Sequence, residues 1–148
     1  MKSANAHAAS TILAFDFGMR HIGVAVGDTE TRMAHALGAV GSRRSGSNAA
    51  RMAGIEPFVR EWRPARLVVG LPLALDGAEH EMTVRARRFA RQLAARLGLP
   101  VDFADERLSS AAAEEGLREA GRGARKHKQL VHGEAARIVL QSYLDESA

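Results

Sequence analysis

Two acids in this chain stand where acids are costly. Asp16 interrupts the apolar run Ile12, Leu13, Ala14, Phe15, Phe17, and a second apolar run, Ile22, Val24, Ala25, Val26, follows after a short turn at Gly18 to His21. A carboxylate inside a central strand is expensive to bury unpaired, and a metal cation is the usual compensation. Glu106 is the second acid; it leaves the short apolar strand Val101 to Ala104 beside a turn. Two acids on neighbouring strand ends can hold divalent metal, because hard cations such as magnesium prefer carboxylate oxygens. Ions held this way can stabilise both the attacking and the leaving oxygen of a phosphodiester. Water then serves as the nucleophile. The chain contains no cysteine, which excludes a disulfide scaffold, a thiolate zinc site and a thiol nucleophile. It also carries no serine–histidine pattern.

The charge balance points to a polyanionic partner. The net charge is +4 and the sequence pI about 10.3. Most of the excess is arginine, whose fork matches two phosphate oxygens. Arg122, Arg125, Lys126 and Lys128 fall in a glycine-broken basic segment, 121–129, read as a loop; Arg43 and Arg44 fall in a second loop, 41–48. Near a metal site such groups would grip phosphates on either side of a cut. The competing reading of each is a solvated charge run. One tryptophan and one tyrosine, Trp62 and Tyr143, lie at helical core spacing. Recognition should therefore depend on shape and backbone rather than on stacked bases.

The elements that must position these residues follow from periodicity. A third strand is expected over Met33 to Val40, completing an antiparallel meander. Apolar steps of three and four predict a helix from Ala49 to Trp62, with Pro57 kinking it or delaying its start. Arg66 to Leu71 is a buried strand that ends at Gly70-Leu71-Pro72. Met82 to Leu97 is the clearest helix, stopped by Gly98 and Pro100. Ser109 or Ser110 should cap a helix to Ala120, and a last helix is expected from Val131 to Asp145. Helices between the later strands imply parallel pairing. The fold class is α/β: a mixed five-stranded sheet, three strands in a meander and then two parallel, flanked by helices. This is the ribonuclease-H-like arrangement, in which the first strand is central. The 148 residues fit one domain over 11–146, with residues 1–10 read as a disordered tail. The tail has no apolar segment suited to a signal peptide, and no run approaches a membrane span, so a cytoplasmic protein is expected.

The sequence resembles the YqgF family of Holliday-junction-resolvase-like proteins and proposed pre-16S rRNA nucleases. The resemblance rests on LAFDFGMRHIGVAVGD at 13–28, VVGLPLALDG at 68–77, DERLSS at 105–110 and AARIVLQSYLD at 135–145. It implies a ribonuclease-H-like fold and metal-dependent hydrolysis of nucleic acid, with magnesium or manganese as cofactor and the 5′ end of 16S rRNA as target. Asp16 matches the family's first-strand aspartate and Glu106 the glutamate of its DER motif. The family's third acid opens the last helix; here His132 takes that position. Glu134 lies about 200° around the helix from it and should point away. Imidazole can ligate metal, favouring manganese, zinc or iron, so His132 is expected to complete or tune the site. Two carboxylates and a histidine make a modest site without substrate phosphates. Two other readings stay open: a DNA-junction resolvase, and a nucleic-acid-binding protein whose catalysis is weakened at His132. A monomer or weak dimer is expected. An ATPase of the actin and sugar-kinase type, whose phosphate loop is similar, would need a second lobe that this length does not supply.

Overall fold

The computed structural model describes residues 11–41, 48–74, 76–106 and 124–146, with side chains from 131 onward in the last of these. Five strands form one sheet: β1 (Thr11–Phe17), β2 (His21–Asp28), β3 (Met33–Gly41), β4 (Arg66–Leu71) and β5 (Val101–Asp105). Their order is β3-β2-β1-β4-β5. The first three strands are antiparallel, while β4 pairs parallel with β1 and β5 parallel with β4. The meander, the parallel half and the central place of β1 are all as the sequence implies.

Side-chain alternation sorts β1 between two layers. Leu13, Phe15 and Phe17 pack with Ile55 of α1 (Asn48–Trp62) and with Ala86, Phe89 and Leu93 of α2 (Glu81–Leu97). Phe89 meets Phe15 edge-on at 6.3 Å between ring centroids and Phe17 at 5.1 Å. Ile12 and Ala14 face the other way, against Ala136, Val139, Leu140 and Leu144 of α3 (Ala124–Glu146). Asp16 continues that even-numbered series and so faces α3.

Helix α2 is closed at both ends by local chemistry. His80 accepts a hydrogen bond from the Met82 amide at 3.2 Å and its own amide donates to Thr83 Oγ1 at 3.1 Å, a reciprocal cap. Gly98 adopts φ 67° and returns its amide to the Ala94 carbonyl, the left-handed stop expected of glycine.

Several expectations need correction. The last helix begins at Ala124, not Val131. Residues 124–129 are therefore helical rather than loop, because the run from Ala124 to Leu130 is rich in helix formers and lacks glycine. Arg125, Lys126 and Lys128 ride on this helix; their side chains, and Arg122, Arg43 and Arg44 entirely, lie outside the described residues. So do residues 1–10 and the helix expected up to Ala120. Pro57 does not delay α1, which starts at Asn48; Pro57 and Ala53, whose carbonyl loses its helical partner, are both exposed. Trp62 is 37% exposed rather than core. Tyr143 is only part-buried, and its hydroxyl donates to Asp102 Oδ2 at 2.6 Å beside Arg66. Among the described residues no helix is long and apolar enough to cross a membrane.

Candidate active site

The parallel pairing of β1, β4 and β5 gathers their C-terminal ends at one end of the sheet. Asp16 is the penultimate residue of β1. Across the sheet its register row reads Ala39, Gly23, Asp16, Gly70, Ala104. The one acid is thus flanked on both sides by glycine, and the space left by each glycine is used. A Cβ on Gly70 would lie 2.8 Å from Glu106 Oε2 and 3.0 Å from its Cδ. A Cβ on Gly23 would overlap the carbonyl of His132. The glycines therefore admit the Glu106 carboxyl group from one side and the backbone of α3 from the other. Gly133 continues the close approach, since a Cβ there would stand 3.1 Å from the Gly38 amide nitrogen.

Glu106 lies just beyond β5, its amide donating to the Leu71 carbonyl at 3.2 Å. Two steps after Ala104, it keeps the same parity and faces α3 as Asp16 does. Both acids are 8% exposed, and they hydrogen-bond to each other. Burial raises the pKa of Asp16, opposed by the hydrogen bond from Glu106 and by the charge of His132. Glu106 is pushed up to about 11, first by burial, then by the hydrogen bond and negative charge of Asp16, and last by Asp105. Burial thus favours the neutral form of each acid, Glu106 the more strongly, when no cation lies between them. Like charges this close cannot both ionise without compensation. A hard divalent cation would supply it through the same oxygens, so the donor pair fits such an ion.

His132 comes near enough for its charge to favour the Asp16 carboxylate. Its ring is half-buried and stacks on His21, with centroids 4.9 Å apart and planes 21° from parallel. Among the described residues, no group of three or more histidine and carboxylate side chains is arranged to hold a metal ion. The structure brings Asp16 and Glu106 together, then, and sets His132 beside them against His21. Glu134 is turned elsewhere, as its helical angle requires, and holds Arg137 at 2.6 Å. Arg85 pairs with Glu81 at 3.0 Å.

Two residues at this end of the sheet are not marked by the sequence. His21 looks like turn, and nothing in its neighbours identifies it as a ring partner for position 132. Arg51 is 5% exposed within α1. It falls four residues before Ile55 and next to Met52, on the buried stripe, and that spacing is the available signal.

A family model described as "RuvX: Holliday junction resolvase" matches residues 10–146. A protein of Burkholderia lata named "Putative pre-16S rRNA nuclease" is 47% identical over 146 residues, covering 99% of this chain and 95% of its own. One of the same name from Dechloromonas aromatica is 48% identical over 135 residues, covering 91% and 90%. Among solved structures, the RuvC of T. thermophilus in complex with Holliday junction substrate superposes with a TM-score of 0.54 at 18% identity, over 93% of this chain and 95% of that one. That likeness is one of fold and agrees with the ribonuclease-H-like sheet. The match of family model and relatives along nearly the whole length places the chain in the RuvX family, also called YqgF.

Proposed function

We propose that this chain is a divalent-metal-dependent endonuclease for structured nucleic acid, and that its substrate is the 5′ end of precursor 16S rRNA. The observation that carries the reading is the buried, hydrogen-bonded Asp16–Glu106 pair at the C-terminal ends of parallel strands. The near-half identity to proteins named as pre-16S rRNA nucleases supports the choice of RNA.

Asp16 and Glu106 would hold the cation. When bound, magnesium or manganese would activate water and neutralise charge at the scissile phosphate. The chain's own contribution is preorganisation. The glycine row fixes the distance between the carboxyl groups, and α3 covers the apolar side and keeps bulk water from it. His132 Nδ1 or Nε2 stands beside the pair and can hold a proton during the exchange of water for the leaving oxygen. In the net reaction the phosphorus–oxygen bond breaks, the water oxygen joins phosphorus, and one water proton passes to the leaving oxygen. Arg122, Arg125, Lys126, Lys128, Arg43 and Arg44 are proposed to contact phosphates outside the catalytic pair.

A second reading is favoured by one observation. The His132 ring rests on His21, and no three-ligand group is present among the described residues. A nucleic-acid-binding protein with weakened catalysis would look this way. The test is cleavage of a 16S precursor with a 5′ extension, a single-stranded RNA and a four-way DNA junction, with magnesium or manganese. Under the first reading the wild type cuts the precursor and Asp16→Asn abolishes cutting. An inactive wild type restored by His132→Asp establishes the second. Cutting of the junction alone would make the substrate DNA, and cutting untouched by Asp16→Asn would remove Asp16 from the site.

A further inference from the structure

The β1–β2 turn, Gly18 to Arg20, projects from the same end of the sheet as the acid pair and begins two residues beyond Asp16. Its outer residues face solvent. Met19 is 49% exposed, and Arg20 is exposed with no carboxylate partner among the described residues. Arg66, Arg85, Arg87, Arg96 and Arg137 each hold a carboxylate, at 3.0, 3.0, 2.6, 2.7 and 2.6 Å. Arg20 shares its freedom with the exposed Arg32, Arg60, Arg63, Arg88 and Arg91, and it is its place in the turn that follows β1, at the end of the sheet that bears Asp16, that singles it out.

The turn is braced from within. Arg51 reaches it from α1, on the sheet face opposite α3. Its guanidinium donates to the Gly18 carbonyl and, at 2.8 Å, to Asn48 Oδ1. It lies 4.9 Å over the ring of Phe17. Among the described residues no carboxylate meets this buried cation, and its Nε has no acceptor. Burying an unpaired guanidinium opposes folding, and burial lowers the Arg51 pKa accordingly. On the other side, Gly41 pairs with His21 in the strand register and adopts φ 133°. A Cβ there would overlap the Arg20 carbonyl. The backbone of the turn is thus clamped between Arg51 and β3, while its two side chains stay outside.

We propose that this clamped turn is a nucleic-acid contact: Arg20 grips a backbone phosphate beside the cut, Met19 lies against the adjoining sugar or base, and Arg51 is the positioning residue that holds the turn in shape. A long exposed arginine without an internal partner suits a phosphate, and an exposed thioether beside it adds apolar contact that tolerates any sequence. The inference rests on the nuclease reading for its choice of ligand, but its test does not require cleavage.

The test is equilibrium binding of the full chain to a labelled hairpin RNA with a 5′ extension, without divalent metal, at several salt concentrations. Arg20→Ala should weaken binding about tenfold and reduce the slope of log affinity against log salt by about 0.7 to 0.9, the signature of one lost phosphate contact. Met19→Ala should weaken binding about threefold with no change in slope. Arg51→Met should weaken binding about as much as Arg20→Ala, and the double variant should bind no worse than either single variant, since both remove one contact. A merely structural Arg51 would give additive losses. Arg51→Lys, which keeps the charge but loses the planar fork, should not rescue. Arg20→Ala within twofold of wild type with an unchanged slope overturns the proposal, as does a wild type that binds no nucleic acid. Should Arg51→Met fail to fold, the two exposed-turn variants decide the contact and Arg51→Lys decides the brace. Binding that follows this pattern in a protein that cuts nothing keeps the contact and removes the nuclease reading.

Discussion

Asp16 and Glu106 work against folding in the metal-free protein, and this sets the sign of a pH effect. The Glu106 pKa is raised from 4.5 to about 11 in the folded chain, chiefly by burial. The folded state therefore binds a proton that the unfolded state has released once pH exceeds the unfolded value. The stability associated with that proton is full below 4.5 and is lost as pH rises towards about 11. Metal-free wild type should lose thermal stability steadily from about pH 5 to about pH 9. Glu106→Gln keeps a donor to Asp16 and has no proton to lose, so its melting temperature should be flatter over this range. At the alkaline end it should exceed wild type by about 3–6 °C, as about 1–2 kcal/mol gives in a chain of this size. The same variant should lose cleavage. Melting curves in a chelator decide it, and parallel curves for the two proteins would mean that Glu106 is not held protonated. Asp16 and Glu106 were legible because an acid inside or directly after an apolar strand is too costly to keep unless a cation or a shared proton compensates it. Arg51 was not: a cation on the buried stripe of a helix is only identified as buried once the turn that it holds is in place.

At the scale of elements, the glycine row shows why spacing alone could not yield the site. Gly70 in Gly-Leu-Pro reads as a strand terminator, yet its role in the fold is to leave room for the Glu106 carboxyl group. A glycine inside an apolar strand, as at Gly23, signals close backbone approach, but not that the backbone is α3 at His132. Two substitutions separate these roles. Gly70→Ala places a methyl group against a side chain that can shift, so stability should fall by only about 1 kcal/mol, while cleavage falls about a hundredfold as the carboxyl pair is parted. Gly23→Ala meets backbone that cannot yield without lifting α3. It should destabilise by about 3 kcal/mol or more and lose activity through the fold. Melting temperature and kcat measured on both variants check this, and equal stability losses would remove the distinction. The early start of α3 was illegible for a different reason. Lysine, arginine and glutamine favour a helix nearly as well as they favour solvent, so a basic run is ambiguous until its neighbours pack.

The described elements form one sheet covered on both faces, and the acid pair faces only the α3 side. Helices α1 and α2 cover the face of Leu13, Phe15 and Phe17. Helix α3 alone, among the described elements, supplies the helical packing on the face of Ile12, Ala14 and Asp16. It carries His132 about two turns in from its start and packs Leu140 and Leu144 against Gly27 further along. Gln141 fastens it to the sheet edge, accepting from the Ala34 amide at 3.1 Å and donating to the Arg32 carbonyl at 2.8 Å. Equal damage to the two layers should therefore have unequal functional effect. Leu93 of α2 and Leu140 of α3 are both fully buried, at 0% exposure. Leucine-to-alanine changes at such sites cost about 2–5 kcal/mol through lost transfer energy and the cavity left behind. Leu93→Ala and Leu140→Ala should lower the melting temperature by similar amounts. Assayed well below both transitions, Leu93→Ala should cleave within about twofold of wild type, because its cavity opens on the layer away from Asp16. Leu140→Ala should lose about tenfold or more in kcat, since a looser α3 no longer holds His132 and the covering of the carboxyl pair in place, and a displacement of about 1 Å is enough for such a loss. Equal activity in the two variants would show that the α3 layer shields the site without positioning it.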